Sequence, residues 1–182
     1  MRETLRQAVH LLLGIAIAVS VAVFPPAVTV PFYAAGLLMG SVLVDAVERG
    51  LRLPLISPLL GLLERDNAGP GRGAFYFVVA TLGCLVLFDP FRAAIGVFVL
   101  ALLDSVSTIA GRRLGRHRLF NGKSIEGFLA GVVVTAGALL FVLPPVTAVL
   151  AATVAGVVEL VSPVDDNLVI PPAVCLVLLL MN

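Results

Sequence analysis

Apolar residues run through this chain in long blocks, each broken by a short polar or proline-rich stretch, and the blocks predict membrane helices. A bilayer core of about 30 Å needs roughly 20 apolar residues of helix. Seven blocks read as candidate spans: 9–24, stopped by Pro25-Pro26, then 29–47, 73–88, 92–111, 125–143, 144–161 and 168–181. The last is short. It rises only about 20 Å, and Pro171-Pro172 are expected to delay its helix further. It reads as a half-helix, or as a helix that starts inside a cytoplasmic depression. Residues 55–63 are apolar but shorter still and read as lying in the membrane interface. Residues 1–13 carry basic residues before an apolar run. That run meets Phe24-Pro25-Pro26 without a small-x-small cleavage site, so it reads as a first span rather than a cleaved signal. The expected architecture is one all-α integral-membrane domain over residues 1–182, a polytopic helical bundle.

Composition removes the alternatives. Of 182 residues, 60% are hydrophobic and 13% charged, and the mean hydropathy is +1.12. A soluble domain has about 45–50% apolar and roughly 25% charged residues, and a small one buries only about two-thirds of its surface. A soluble globule and a disordered chain are therefore excluded. The net charge of +1 speaks against a nucleic-acid partner. Cys84 and Cys175 lie in apolar runs and read as packing residues, not as a disulfide or metal pair.

The charged remainder is placed unevenly. Arg2 and Arg6 precede the first span. Arg49, Arg52, Arg65 and Arg72 fall between spans two and three, and Arg112, Arg113, Arg116, Arg118 and Lys123 between spans four and five. These segments share one side of the membrane, and only Arg92 falls on the other. The positive-inside rule makes that side, and the N-terminus, cytoplasmic. Most acids follow: Asp45, Glu48, Glu64, Asp66, Asp104, Glu126, Glu159, Asp165 and Asp166, with Asp89 opposite. A transporter places ionisable or broken-helix sites near the midplane. Polar chemistry gathered on one face points instead to an enzyme working at the cytoplasmic membrane surface.

Three polar clusters carry that chemistry. Asp104, Thr108, Gly111 and Gly115 share one helical face ahead of a basic run that includes Arg112 and Arg113. A membrane acid needs a partner, either a metal ion or an arginine, and the glycines admit a neighbouring backbone or a ligand. Helix packing with a basic anchor accounts for the same residues. In Asn121-Gly122-Lys123-Ser124-Ile125-Glu126-Gly127, Ser124 suits a helix N-cap and Glu126 the first turn. A Lys beside exposed helix amides suits phosphate. His117 stands where a Walker A loop would need glycine. The third cluster is Glu159 followed by Asp165-Asp166-Asn167, whose paired carboxylates and amide suit Mg²⁺ with substrate phosphates, although the same tripeptide is common in turns. Arg6 and His10 are one helical turn apart, His10 reading as a base or a plain interfacial residue. The segment from Glu64 through Arg65 to Gly73 reads as a polar turn-rich loop.

Asp104-Ser105, Ala110-Gly111-Arg112-Arg113-x-Gly115, Lys123-Ser124-x-Glu126-Gly127 and Asp165-Asp166-Asn167-Leu168-x-x-Pro171 occur in that order. Together they resemble the CTP-dependent polyprenol kinases, the family of dolichol kinase, phytol kinase and the CTP-dependent diacylglycerol kinase. Arg6-x-x-x-His10 resembles the family's Arg-Lys-x-x-His, with Gln7 in place of Lys, and Gly73-Ala-Phe-Tyr resembles its Gly-Ala-x-Tyr. The likeness covers nearly the whole chain. CDP-diacylglycerol-forming cytidylyltransferases share a similar middle, but their His-Gly-Gly and Asp-Arg signature is replaced here by Asp-Asp-Asn-Leu.

The resemblance implies transfer of a phosphoryl group from CTP to a polyprenol- or dolichol-type lipid alcohol with Mg²⁺, the alternatives being a CDP-lipid-forming, phosphatidate cytidylyltransferase-like enzyme and a CTP-dependent diacylglycerol or phytol kinase. In that reading Asp104, Asp165 and Asp166 hold the metal. Lys123, Arg112 and Arg113 hold phosphates, with Ser105, Thr108, Gly111, Gly115, Ser124, Gly127 and Asn167 around the nucleotide. Asp104, Lys123, Glu126 and Asp166 form the catalytic set, while Arg6, His10, Arg65, Gly73 and Glu159 are substrate contacts or structural. The partners are a lipid alcohol, a nucleoside triphosphate and the bilayer. The location is the plasma membrane of a prokaryote or an ER-type membrane of a eukaryote. Spacings such as Gly111-x-x-x-Gly115 serve packing within one chain or in a homodimer.

Overall fold

The computed structural model describes residues 2–51, 69, 71–119 and 122–181. Among them are seven helices and no strand. These are α1 (Arg2–Val23), α2 (Pro26–Glu48), α3 (Arg72–Leu87), α4 (Pro90–Leu114), α5 (Ile125–Leu139), α6 (Pro145–Val161) and α7 (Asp166–Leu180). The expected interfacial segment 55–63 and Arg65 lie outside the described residues.

Prolines start three of these helices. Pro26, Pro90 and Pro145 stand at first helical positions, where a missing N–H costs nothing and the fixed φ suits the helix. Two boundaries differ from expectation. Helix α1 begins at Arg2 rather than near residue 9, so its first two turns are polar. Helix α7 is not delayed by Pro171-Pro172: it starts at Asp166, capped by Asp165, and continues through both prolines. Packing outweighs the lost backbone bonds. Ile170, Pro171, Val174, Cys175 and Leu178 are all buried, and the chain at Pro171 rests on Gly96 of α4, where an added methyl would stand 2.7 Å from the Pro171 carbonyl oxygen.

Helix α4 is the axis of the bundle. Its buried residues face around most of its circumference, from Ala93, Val97 and Leu100 to Leu103, Asp104 and Ser107, and α1, α5 and α7 pack along it. A helix apolar on all sides is one that belongs inside. The core joins Val97, Leu100 and Leu103 to Leu139 of α5, Ala148, Ala151 and Ala155 of α6, and Ile170 and Val174 of α7. Small residues let the backbones approach closely. Cys84 and Cys175 lie in a second buried cluster with Val21, Tyr33 and Leu85, both thiols free, as packing residues should be. Helix α2 is peripheral: only Thr29 and Tyr33 are buried on it, and the Tyr33 hydroxyl meets Ser20 Oγ at 2.5 Å.

Three helices are long and apolar enough to cross a membrane, Glu3–Val23, Pro26–Glu48 and Pro90–Leu114. The other four are apolar and of 15 to 17 residues.

Candidate functional site

Helix α1 runs antiparallel to α4, and the pairing is read from four contacts. Gly14 lies against Ala101, His10 faces Asp104, the Gln7 carbonyl accepts a bond from Ser105 Oγ at 3.2 Å, and Glu3 faces Arg112. This register sets His10 Nε2 3.8 Å from Asp104 Oδ2, with the Phe77 ring edge-on to the imidazole. Thr108, one turn beyond Asp104, donates to Asp104 Oδ1 at 3.4 Å.

Helix α5 crosses the same end of α4 at close range. A methyl on Gly127 would stand 2.6 Å from the Ser107 carbonyl oxygen and 3.0 Å from Gly111 Cα. The connection that makes this crossing is a tight reversal. Leu119 N–H donates to the Lys123 carbonyl at 2.7 Å, Ile125 N–H to the His117 carbonyl at 3.0 Å, and Arg118 Nη1 to the Gly122 carbonyl at 2.9 Å. Gly122 sits at φ +73°, a conformation glycine adopts without strain. Ser124 then caps α5, accepting from Gly127 N–H at 3.1 Å. The reversal delivers Lys123 to the end of α4.

There Lys123 meets two acids far away in sequence. Its Nζ donates to Glu159 Oε1 at 2.6 Å and to Asp166 Oδ2 at 3.0 Å. Ser107 Oγ donates to the same Glu159 oxygen at 2.5 Å. One carboxylate oxygen each from Asp104, Glu159 and Asp166 lie within 4.8 Å of one another. Three helices thus converge three hard oxygen donors, Asp104 and Glu159 buried and Asp166 half-buried. Burial pulls the Lys123 ammonium down, but the charges of Glu159, Asp166 and Asp104 outweigh it and hold the group above the ordinary lysine value.

The remaining residues singled out in the sequence fall into distinct places. Asp165 stands apart from the acid cluster: its Oδ1 accepts from Asn167 N–H at 3.1 Å as the cap of α7. Glu159, read above as a substrate contact or a structural residue, is in the cluster itself. Glu126 accepts from His117 Nδ1 at 2.8 Å and so ties down the reversal. Asn167 donates to the Gly73 carbonyl at 3.4 Å, joining α7 to α3. The space beside Gly111, Gly115 and Gly127 is filled by protein atoms of the α4–α5 crossing. Arg112 and Arg113 are exposed in the last turn of α4, and Arg6 is held on Glu3. Ser107 was not singled out as a site residue. The signal for Glu159 is its setting, a single acid in Val-Val-Glu-Leu-Val at the end of an apolar helix, which is costly without a partner.

Over 175 residues the chain is 34% identical to the Uncharacterized protein MJ1137 of Methanocaldococcus jannaschii, an alignment that covers 94% of this chain and 90% of that protein. No family model matches the chain, and no solved structure matches it.

Proposed function

The chain belongs to the family of the Methanocaldococcus jannaschii protein MJ1137, and we propose that it is a membrane kinase that transfers the terminal phosphoryl group of a nucleoside triphosphate, CTP by the resemblance, to the hydroxyl of a polyprenol- or dolichol-type lipid alcohol. The observation that carries this reading is the convergence of Asp104, Glu159 and Asp166 around Lys123 at one end of an apolar bundle. Phosphoryl transfer asks little of a protein beyond positioning and charge neutralisation, and this grouping offers both.

The donor set fits Mg²⁺, a hard ion that takes one or two carboxylates together with waters and phosphate oxygens. Asp104, Glu159 and Asp166 would hold it, and when bound it neutralises charge on the β- and γ-phosphates. Lys123, already turned toward these acids, would move its ammonium onto a phosphate oxygen. The alcohol oxygen forms the new bond to phosphorus, the bond to the nucleoside diphosphate breaks, and the hydroxyl proton passes to a carboxylate of the cluster. His10 borders Asp104 on the α1 side, where an alcohol headgroup would arrive.

In this reading all seven helices cross the bilayer, with the N-terminus and the acid cluster cytoplasmic. Four are short: 15 to 17 residues rise about 22–26 Å, less than a bilayer core of about 30 Å, so the bilayer thins and its headgroup layer dips to meet their polar ends. That is where a lipid hydroxyl lies. A chain whose apolar tail rests among helices and whose alcohol sits at the boundary meets the cluster without leaving the membrane.

The test uses membranes from cells expressing this chain, given γ-labelled CTP and a panel of lipid alcohols. The expected result is labelled lipid phosphate and released CDP, lost in Asp104→Asn and Lys123→Ala. Absence of product from every nucleotide and every alcohol would overturn the reading. Release of pyrophosphate with a CDP-lipid would reassign the chain as a cytidylyltransferase.

A further inference from the structure

One turn and more beyond the acid cluster, α1 and α4 are joined by a second charged grouping. Glu3 Oε1 accepts from Arg6 on the next turn of α1, and Glu3 Oε2 lies 3.3 Å from Arg112 Nη2 on α4. Gln7 Nε2 adds a bond to Glu3 Oε1 at 3.3 Å. One carboxylate therefore engages two guanidinium groups from two helices. The donors exceed what it can accept. The Arg6 Nε donor is buried with no hydrogen-bond partner among the described residues, while the Arg112 side chain is still 63% exposed. A guanidinium presents five donors in a fixed fork suited to phosphate as well as carboxylate. A phosphate group brings more oxygens to such a pair than Glu3 does.

We infer that Arg6 and Arg112 form a phosphate-binding site, and that Glu3 is an internal stand-in which occupies it in the ligand-free protein and gives way to a phosphate group. The inference rests on the kinase reading for its ligand class. Arg112 follows Asp104 by eight residues on α4, about 12 Å along the helix, so one bound nucleotide would extend from the acid cluster toward the arginine pair. The phosphate belongs either to the nucleotide or to the phosphorylated lipid.

The experiment measures dissociation constants for purified protein in a non-ionic detergent, with inorganic pyrophosphate, CTP and a polyprenyl phosphate as separate probes. Glu3→Gln removes the competing carboxylate and is expected to tighten phosphate binding about fivefold, the scale of a partly exposed ion pair. Arg6→Gln is expected to weaken it by about tenfold or more. Should Arg6→Gln fail to fold, Arg112→Gln at its exposed position carries the same expectation. Tightening with pyrophosphate and CTP assigns the site to the nucleotide, and tightening confined to polyprenyl phosphate assigns it to the lipid. Unchanged or weaker binding by Glu3→Gln with all three probes makes Glu3 a structural tether and overturns the inference. The kinase reading is scored apart. Tighter pyrophosphate binding without any lipid phosphorylation keeps the arginine site and sinks the kinase, and phosphorylation without that gain does the reverse.

Discussion

Helix α4 has one acid as its N-cap and another inside its C-terminal half, and their surroundings differ. At its start, Asp89 accepts from Arg92 N–H at 3.1 Å and pairs with the Arg92 side chain, three residues away. Fifteen residues further on, Asp104 converges with Glu159 and Asp166 around an ammonium that arrives from the turn before α5. The first grouping is one acid and one base serving a helix N-terminus, whose exposed amides favour a carboxylate. The second gathers three acids to one lysine, from elements 36 and 43 residues apart in sequence. An isolated helix would keep the first. Only a folded bundle makes the second, and a cluster of like charges is stabilised by a cationic ligand. The contrast separates a local ion pair from a candidate site.

Substitutions at four positions break or sharpen that contrast. The largest effect is expected at the acid cluster: Asp104→Asn should lower lipid-kinase turnover about a thousandfold, the scale of removing one charge-stabilising element from phosphoryl transfer, with helical circular dichroism unchanged. A turnover within tenfold of the parent would remove Asp104 from the site. Next comes metal linkage. At a hundredfold excess over its dissociation constant, Mg²⁺ should stabilise the protein by about 2.7 kcal/mol, read as a rise in melting temperature. Glu159→Gln should lose most of that rise, whereas Asp89→Ala should retain it.

Gly127→Ala tests the crossing that delivers Lys123. Its methyl would meet the Ser107 carbonyl oxygen at 2.6 Å, so a loss of about 1–3 kcal/mol is expected, together with weaker Mg²⁺ protection because Lys123 and Ser107 shift together. The smallest effects belong to the other end of α4. Asp89→Ala should cost about 1 kcal/mol as a lost cap and leave turnover unchanged. Burial pushes the Asp89 carboxyl up, but the Arg92 N–H, side chain and charge outweigh it and hold the group below its ordinary value of 3.8. Its contribution to stability is therefore present above that value and is lost as pH falls through the folded one. Asp89→Asn, which keeps the cap but cannot titrate, should flatten the acid limb of stability below about pH 4. An acid limb equal to the parent's would show that Asp89 is not depressed.

Much of the fold was legible in the sequence because its information is local. Seven apolar blocks correspond to seven helices among the described residues. Pro25-Pro26 and Pro144-Pro145 mark helix starts by fixed φ and a missing N–H, and Ser124 caps α5 through its own hydroxyl. The misreadings occurred where packing overrode local preference. Pro171 and Pro172 argue against a helix, yet α7 runs through them because Pro171 is buried on α4. The acid cluster was half legible. Asp104, Lys123 and Asp166 stand out by charge against an apolar background. Choosing between adjacent Asp165 and Asp166 was beyond a linear reading, since one residue of helix rotation sends the first to cap α7 and the second to Lys123.

By itself, then, the sequence determined that this is an apolar helical protein, where its helices begin, and that its charges collect in a few segments, because hydrophobic periodicity, proline geometry and capping act over a handful of residues. The tertiary structure alone decided which charges meet. Asp104, Glu159 and Asp166 lie on α4, α6 and α7, and the close approach of α7 to α4 at Gly96, with the alanine face of α6 packed into the same core, brings those helices near enough for their carboxylates to share one centre.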